Sequence, residues 1–441
     1  MIYVIVLAIS TFLSYLLTIP TIHFAKKFKL VTDKNKRIHP AHTHIGIIPR
    51  GGGIPIFLTL LLSAVIFLPM NKIVFGILIT SAVLVVVGIL DDYFDLSPYL
   101  RFSLNLIISA VLIGFGLGIP YISNPFGGVI QLNQWKLSFD FFGTHSVLVL
   151  ADVIAIIWLT WIMNMVNWSK GVDGQLPGFV AITAFFLGLL SQRFTAHDIS
   201  AQTVTLLSFI VAGAFLGFLP FNFFPQKIMP GYGGGSLAGF LLGILSILSF
   251  GKIGTAVLIL AIPTIDAIYT IIRRIKNKQS PFRADWGHFH HKLLELGWGK
   301  RRIAVFYWIV SIILGTASLF LRGIEKLIAF LTIGIILIFF IVIISKIKDQ
   351  KSKIKNSDQI NTFFESGFSN KINLIDRIKG REEAKIFMEQ IIKCLHDELH
   401  TNKGNLLTLK NNIENADNCL NALISNGNVG LQLTYFCVNY Q

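Results

Sequence analysis

Long apolar runs separated by short polar connectors fill the first 345 positions of this 441-residue chain. Such runs approach the roughly 20 residues a helix needs to cross the hydrocarbon core of a bilayer, with shorter ones tolerated where helices shield one another. The pattern predicts about eleven transmembrane helices, near 2–19, 54–70, 73–90, 103–119, 146–163, 178–192, 203–219, 236–250, 253–272, 303–321 and 326–345. The fold class expected is therefore an all-α integral membrane protein. The first run lacks an Ala-x-Ala cleavage site and is followed by KKFKLVTDKNKR, so it reads as a retained helix rather than a removed signal. Between Tyr121 and His145, NPFGGVIQLNQWKLSFDF has the turn residues and alternation of a small hairpin. Beyond residue 345 the runs stop. Residues 346–441 are polar and lysine-rich, and NLIDRIKGREEAKIFMEQIIKCL has helical apolar spacing, so a helical cytoplasmic tail of unassigned role is expected there.

Composition agrees, with 53% hydrophobic and only 14% charged residues and a mean hydropathy of +0.67. Soluble domains carry about 25% charged residues. Placing the basic connector after the first helix in the cytoplasm puts nineteen Lys and Arg on inside loops against six outside. The N-terminus then faces outward and the C-terminus is cytoplasmic. The net charge of +15 reads as topology plus attraction to anionic lipid or phosphate. Nucleic-acid binding is set aside, because no helix-turn-helix, zinc-finger or RNA-recognition pattern occurs. Cys394, Cys419 and Cys437 all lie in the tail and suggest neither a disulfide framework nor a zinc site.

Polar residues then collect on one membrane face, at the inside ends of the runs. GILDDYFDLSPYLR places Asp91, Asp92 and Asp95 directly after an apolar run, with Arg101 opening the next. A solvated helix end would look the same, with Asp95-Leu-Ser-Pro as a turn and Ser97 and Pro98 starting a helix. An adjacent acid pair is also what Mg²⁺ binding or phosphate chemistry needs. NMVNWSKGVDGQLPG delivers Asn164, Asn167, Lys170 and Asp173 at intervals of three. FNFFPQKIMPGYGGGS holds Asn222 and a run of glycines before a helix expected near Ser236; it reads as a tight turn or as a phosphate cradle. Arg273 and Arg274 end one span, and SPFRADWGHFHHKLLELG follows with Asp285, His288, His290 and His291. That histidine block suits phosphate binding, with a zinc site or an ordinary loop as the alternatives.

Taken together, PRGGGIPIF, GILDDYFDLSPYLR, NMVNWSKGVDGQ, FNFFPQKIMPGYGGGS and RRIKNKQSPFRADWGHFHHKLLELG resemble, in order, the polyprenyl-phosphate N-acetylhexosamine-1-phosphate transferases. The HFHH form is similar to the GlcNAc-1-phosphate branch. The resemblance covers residues 1–345 and leaves the tail outside it. It implies transfer of a sugar 1-phosphate from a UDP-N-acetylhexosamine, GlcNAc first, to a polyprenyl (undecaprenyl) phosphate. Release of UMP and an active site on the cytoplasmic face of a multi-pass cell-membrane protein go with it, as does the start of a cell-envelope glycan. Phospho-MurNAc-pentapeptide transfer is the alternative reaction, and a non-catalytic or transport protein binding lipid phosphate or nucleotide sugar is the alternative class.

By the same resemblance, Asp91 and Asp92 are catalytic and near the metal, Asn167 is a Mg²⁺ ligand, and His290 and His291 are catalytic. Arg101, Asn164, Lys170, Asp173, Asn222, Arg274 and His288 are substrate-binding. Mg²⁺ is the implied cofactor, with Mn²⁺ as substitute; the bilayer is the implied partner, and self-association is left open. Two departures stand out. Lys170 occupies the place of a usual aspartate, and Tyr232 or Gly233 the place of a second, so the pocket is more positive than the family pattern.

Overall fold

The computed structural model describes residues 1–33, 46–140, 144–195, 199–249, 253–281, 286–376, 378, 381–400, 405–425 and 427–440. Asp285 lies outside the described residues. The protein divides into two compact units, Met1–Ile341 and Val342–Gln441.

The first unit opens with α1 (Ile2–Lys27), the strands β1 (Val31–Asp33) and β2 (Ile47–Pro49), then α2 (Gly53–Phe67), α3 (Lys72–Phe94) and α4 (Pro98–Gly114). Between α4 and the next helix lie two antiparallel pairs, β3 (Tyr121–Ser123) with β4 (Val129–Gln131), and β5 (Lys136–Asp140) with β6 (Thr144–Leu148). The expected hairpin is thus two hairpins, and the helix expected from 146 starts at Val149. The helices α5 (Val149–Trp168), α6 (Gln175–Gln192), α7 (Ile199–Asn222) and α8 (Gly231–Leu248) follow. Then come α9 (Ile253–Ile259), α10 (Ala261–Lys276), α11 (Phe289–Glu295), α12 (Lys300–Phe320) and α13 (Gly323–Glu365).

Among the described residues eight helices are long and apolar enough to cross a membrane. The span expected over 253–272 is broken instead. α9 and α10 meet at an angle of 83°, and together they would make a ninth. α2 and α4 are apolar but shorter.

α8 is the centre of the unit. Its apolar window is 89% buried, against 22% for α1, so α8 meets protein on all sides while α1 turns much of its surface outward. α3 and α5 pack on α8, and α6 and α1 pack on α7. Contrary to the expected start near Ser236, α8 begins at Gly231 and takes in the whole glycine run. Intrinsic propensity argues against glycines in a helix, and packing overrides it here. A Cβ at Gly88 of α3 would lie 2.2 Å from the Cα of Gly233, and one at Gly53 of α2 would lie 2.8 Å from the nitrogen of Gly234. The glycines let three backbones touch, which is how small residues work between membrane helices.

The second unit contains the end of α13 with α14 (Phe368–Ile375), α15 (Arg381–His400), α16 (Leu406–Ile424) and α17 (Val429–Asn439). Phe363, Phe387, Ile391, Leu423 and Phe436 form its buried core, with Cys419 and Cys437 behaving as small apolar residues within it.

Candidate active site

The acid pair sits at the polar end of α3. Asp95 takes a left-handed conformation (φ 54°) that ends the helix, and Ser97 caps α4 by accepting from the Leu100 amide at 3.2 Å, with Pro98 in its first turn. The expected turn is therefore present, and it holds Arg101 beside the acids. Asp91 Oδ1 is 3.2 Å from Arg101 Nε, and Asp92 Oδ1 is 3.6 Å from Arg50 Nη1. Both carboxylates are buried. Arg50 is placed by the β1–β2 ribbon, where its Nε donates to Thr32 Oγ1.

The start of α8 closes against this pair. The Tyr232 amide donates to Asp92 Oδ1 at 3.1 Å, and a Cβ on Gly231 would lie 2.1 Å from Asp92 Oδ2. Gly231 has φ 68°, a backbone state other residues rarely adopt. On the other side of the same peptide, Lys170 Nζ donates to the Gly231 carbonyl at 2.7 Å. The Tyr232 hydroxyl donates to Asn105 Oδ1 at 3.1 Å, and the Arg101 guanidinium lies 5.5 Å from its ring centre. Burial lowers the Lys170 ammonium to about 8; Asp92 and Asp91 pull it upward, and Arg50 and Arg101 push it down. Three cations therefore face two carboxylates.

Asn167, Lys170 and the histidines meet across the α5–α6 connection. A Cβ on Gly171 would lie 1.8 Å from His290 Nε2, so the ring of His290 rests on the residue after Lys170. His288 Nδ1 donates to Asp266 Oδ2 at 2.9 Å, and the Phe289 amide donates to Asp266 Oδ1 at 2.8 Å. That carboxylate orients the His288 ring through Nδ1 and leaves Nε2 on the opposite edge. Arg274 lies 5.7 Å from the Trp168 ring centre and donates to the Pro281 carbonyl. Burial, reinforced by His291 and His288, lowers His290 well below the ordinary histidine range. It is a neutral ring at pH 7 rather than a phosphate-binding cation.

Three of the expected substrate residues have other partners. Asp173 accepts from Gln226 Nε2 at 3.0 Å and pairs with Lys300 at 3.2 Å. Asn222 Oδ1 accepts from the Gly174 amide at 3.0 Å while its Nδ2 donates to the Ile228 carbonyl at 2.9 Å. These bonds pin the Gly174 turn to the α7–α8 loop. Asn164 donates to the Thr160 carbonyl of its own helix at 2.8 Å. Arg50, Asn105 and Asp266 belong to the constellation and were not singled out from sequence. For Asp266 a signal existed: it is the one carboxylate in the apolar stretch AIPTIDAIYTIIRR.

The implied Mg²⁺ prefers oxygen ligands at 2.0–2.1 Å, so two of its donors stand no more than about 4.2 Å apart. Asn167 Oδ1 is buried with no hydrogen-bond partner among the described residues, which suits a ligand. It lies over Gly235, where a Cβ would be 2.3 Å from it and 3.2 Å from Lys170 Cδ. Asp92 abuts Gly231, one helical turn away, and the Lys170 stem runs from one glycine to the other. The Lys170 side chain thus passes both donors, its stem beside Asn167 at Gly235 and its ammonium at Gly231 where Asp92 abuts, and each acid faces a guanidinium. Among the described residues no three His, Cys, Asp or Glu side chains gather as a metal cage. These residues do not fit a divalent ion.

The family model of glycosyl transferase family 4 matches residues 74–250, which contain the acid pair, Asn167, Lys170 and the start of α8. Over that segment the chain is similar to this family. It is 28% identical, over 78% of its length and 92% of the relative's, to a probable undecaprenyl-phosphate N-acetylglucosaminyl 1-phosphate transferase of Bacillus subtilis. It is 27% identical to an undecaprenyl-phosphate alpha-N-acetylglucosaminyl 1-phosphate transferase of Thermotoga maritima, over 71% of this chain and 88% of that one. It is 29% identical to a decaprenyl-phosphate N-acetylglucosaminephosphotransferase of Mycobacterium leprae, over 62% and 74% respectively. The α3 acids and the α8 glycines therefore lie inside the matched segment, and the histidine block lies beyond it.

Proposed function

We propose that the chain transfers N-acetylglucosamine 1-phosphate from UDP-N-acetylglucosamine to undecaprenyl or a similar polyprenyl phosphate, releasing UMP. The observation that carries this reading is the meeting of Asp91 and Asp92 with Arg50, Arg101 and Lys170 at the polar ends of α3, α5 and α8, beside the histidine block. The relatives' names supply the lipid phosphate and the N-acetylglucosaminyl 1-phosphate group. The product, a lipid-linked sugar diphosphate, starts a cell-envelope glycan.

In this reading an oxygen of the lipid phosphate attacks the sugar-bearing phosphorus of the nucleotide sugar. The bond from that phosphorus to the bridging oxygen breaks, and its electron pair leaves with UMP. Charge moves toward the leaving phosphate, so fixed cations accomplish most of the catalysis. Arg50, Arg101 and Lys170 supply them, with no step assigned to Mg²⁺ or Mn²⁺. The attacking phosphate is largely ionised at pH 7, so Asp91 or Asp92 orients it or takes its last proton. His288, oriented by Asp266, presents Nε2 toward phosphate or sugar hydroxyls, and neutral His290 hydrogen-bonds rather than pairs. Asp173 and Asn222 hold the loop in place.

Eleven crossings follow if the eight long helices, the bent α9–α10 pair, α2 and α4 all span. The excess of Lys and Arg on the site's side puts the N-terminus outside and the active site in the cytoplasm, within a cell membrane. Residues 1–345 are the transferase, and 346–441 are an appendage.

A second reading has one observation in its favour: Lys170 stands in a nucleotide-sugar pocket where the family pattern has an acid, which suits binding without turnover. Mass spectrometry of the lipid formed from a panel of UDP-sugars in membranes carrying polyprenyl phosphate separates the two. UMP release with a sugar-phosphate adduct from UDP-GlcNAc supports transfer. Release no greater than that of an Asp91→Asn control, with every donor tried, refutes it.

A further inference from the structure

We propose that the Lys170 ammonium replaces a divalent cation in this site, so that phosphates are bound and transferred without a metal ion. The inference rests on the transferase reading for its substrates but on the geometry of Lys170 for its substance.

Lys170 starts in the connection after α5 and lies along the first turn of α8. Its Cδ is beside Gly235, next to Asn167 Oδ1, and its Nζ reaches the Gly231 carbonyl at 2.7 Å. Gly231 is also where Asp92 abuts α8, and the amide of the following residue donates to that carboxylate. One peptide group therefore accepts from the lysine and donates to the acid. The side chain lies against the same turn of α8 as the two oxygen donors that would have to converge on a metal, its stem beside one and its ammonium beside the peptide that binds the other.

The glycines that flank it explain how the lysine fits. A side chain at Gly235 would collide with Asn167 Oδ1 and the Lys170 stem, and one at Gly231 with Asp92. No carboxylate projects from this turn, because the residues that start α8 are Gly231, Tyr232, Gly233, Gly234 and Gly235. The Tyr232 hydroxyl is turned to Asn105 instead. Positive charge is thus delivered by a covalently held point charge, flanked by Arg50 and Arg101, rather than recruited from solution. A lysine has three donors and one charge where Mg²⁺ has two, and the two guanidiniums make up the difference for a bound diphosphate.

The test uses the detergent-purified full chain and two readouts. The first is Mn²⁺ binding by electron paramagnetic resonance, which requires no turnover. The second is UMP release from UDP-GlcNAc and polyprenyl phosphate in EDTA and in Mg²⁺. Wild type is expected to bind no stoichiometric Mn²⁺ and to release UMP equally, within about twofold, in both buffers. Lys170→Asp should gain a Mn²⁺ site and become EDTA-sensitive. Lys170→Met, which keeps the stem and removes the charge, should lose at least about tenfold of the EDTA-resistant rate while eluting as wild type on size exclusion.

Stoichiometric Mn²⁺ on wild type, or UMP release abolished by EDTA, overturns the proposal and leaves the transferase reading intact. No release in either buffer removes the transferase reading, and Mn²⁺ binding still decides whether Lys170 holds the place of a metal. Lys170→Met releasing UMP in EDTA at the wild-type rate also overturns it.

Discussion

In the proposed reaction Lys170 is the residue on which the chemistry turns. Burial brings its ammonium down to about 8, against the attraction of Asp92 and Asp91. Its charge is therefore present below that pH and lost above it. Since kcat/KM reports the free enzyme, it is expected to fall as pH rises from about 7 to 9.5, approaching tenfold per unit on the alkaline limb. Lys170→Arg keeps its charge beyond about pH 12 and should flatten that limb, whatever it costs in absolute rate. A wild-type profile that stays level to pH 9.5 would refute the assignment. The same scale separates what sequence exposes from what it hides. Asp91, Asp92 and Lys170 are legible because charges at the end of an apolar run are costly and conspicuous. Arg50 is one of many basic residues near its loop, and nothing in its neighbours marks it as the partner of Asp92 3.6 Å away.

At the scale of elements, the glycine run shows how one sequence feature supports two readings. A turn rich in glycine before a helix resembles a phosphate cradle, but here the glycines are helical and serve as the surfaces where α2, α3 and α8 touch. Gly88→Ala would set a methyl group against Gly233 and force α3 from α8, at a cost of about 1–3 kcal/mol. Thermal unfolding of the solubilised protein should show the loss, with UMP release falling as the acids shift from Lys170. Gly114→Ala, where nothing lies within 4 Å, is the matched control and should leave both unchanged. Equal melting of the two variants would mean that the close approach carries no energy. The break between α9 and α10 escaped the sequence reading for a related cause. Hydropathy is continuous through it, whereas the 83° bend is a property of packing. That bend belongs to the helix that places Asp266 under His288.

At the scale of the whole chain, the two units have separate cores. The buried residues of the second unit, among them Phe363, Phe387 and Phe436, contact one another. No residue assigned here to phosphate chemistry lies beyond Ile341. A chain ended after residue 345 should therefore insert in membranes and retain UMP release within about twofold, because a unit with its own core folds largely on its own account. Loss of activity in a truncated chain that remains monodisperse would give the appendage a part in the reaction.

Hydropathy and order of motifs suffice for the membrane class, the helical composition and the likeness to the transferases, since apolar length and charge placement are local properties that no tertiary contact can reverse. Tertiary packing decided where α8 begins, which of Asp91, Asp92, Asp173 and Asn222 gather beside Arg50, Arg101 and Lys170 and which brace a loop, and which acid orients His288. Those outcomes depend on groups distant in sequence: Arg50 meeting Asp92, Asp266 meeting His288, Lys300 meeting Asp173. Lys170 belongs to both levels, an unexpected charge in the sequence whose reach from Gly235 to Gly231 only the folded helix reveals.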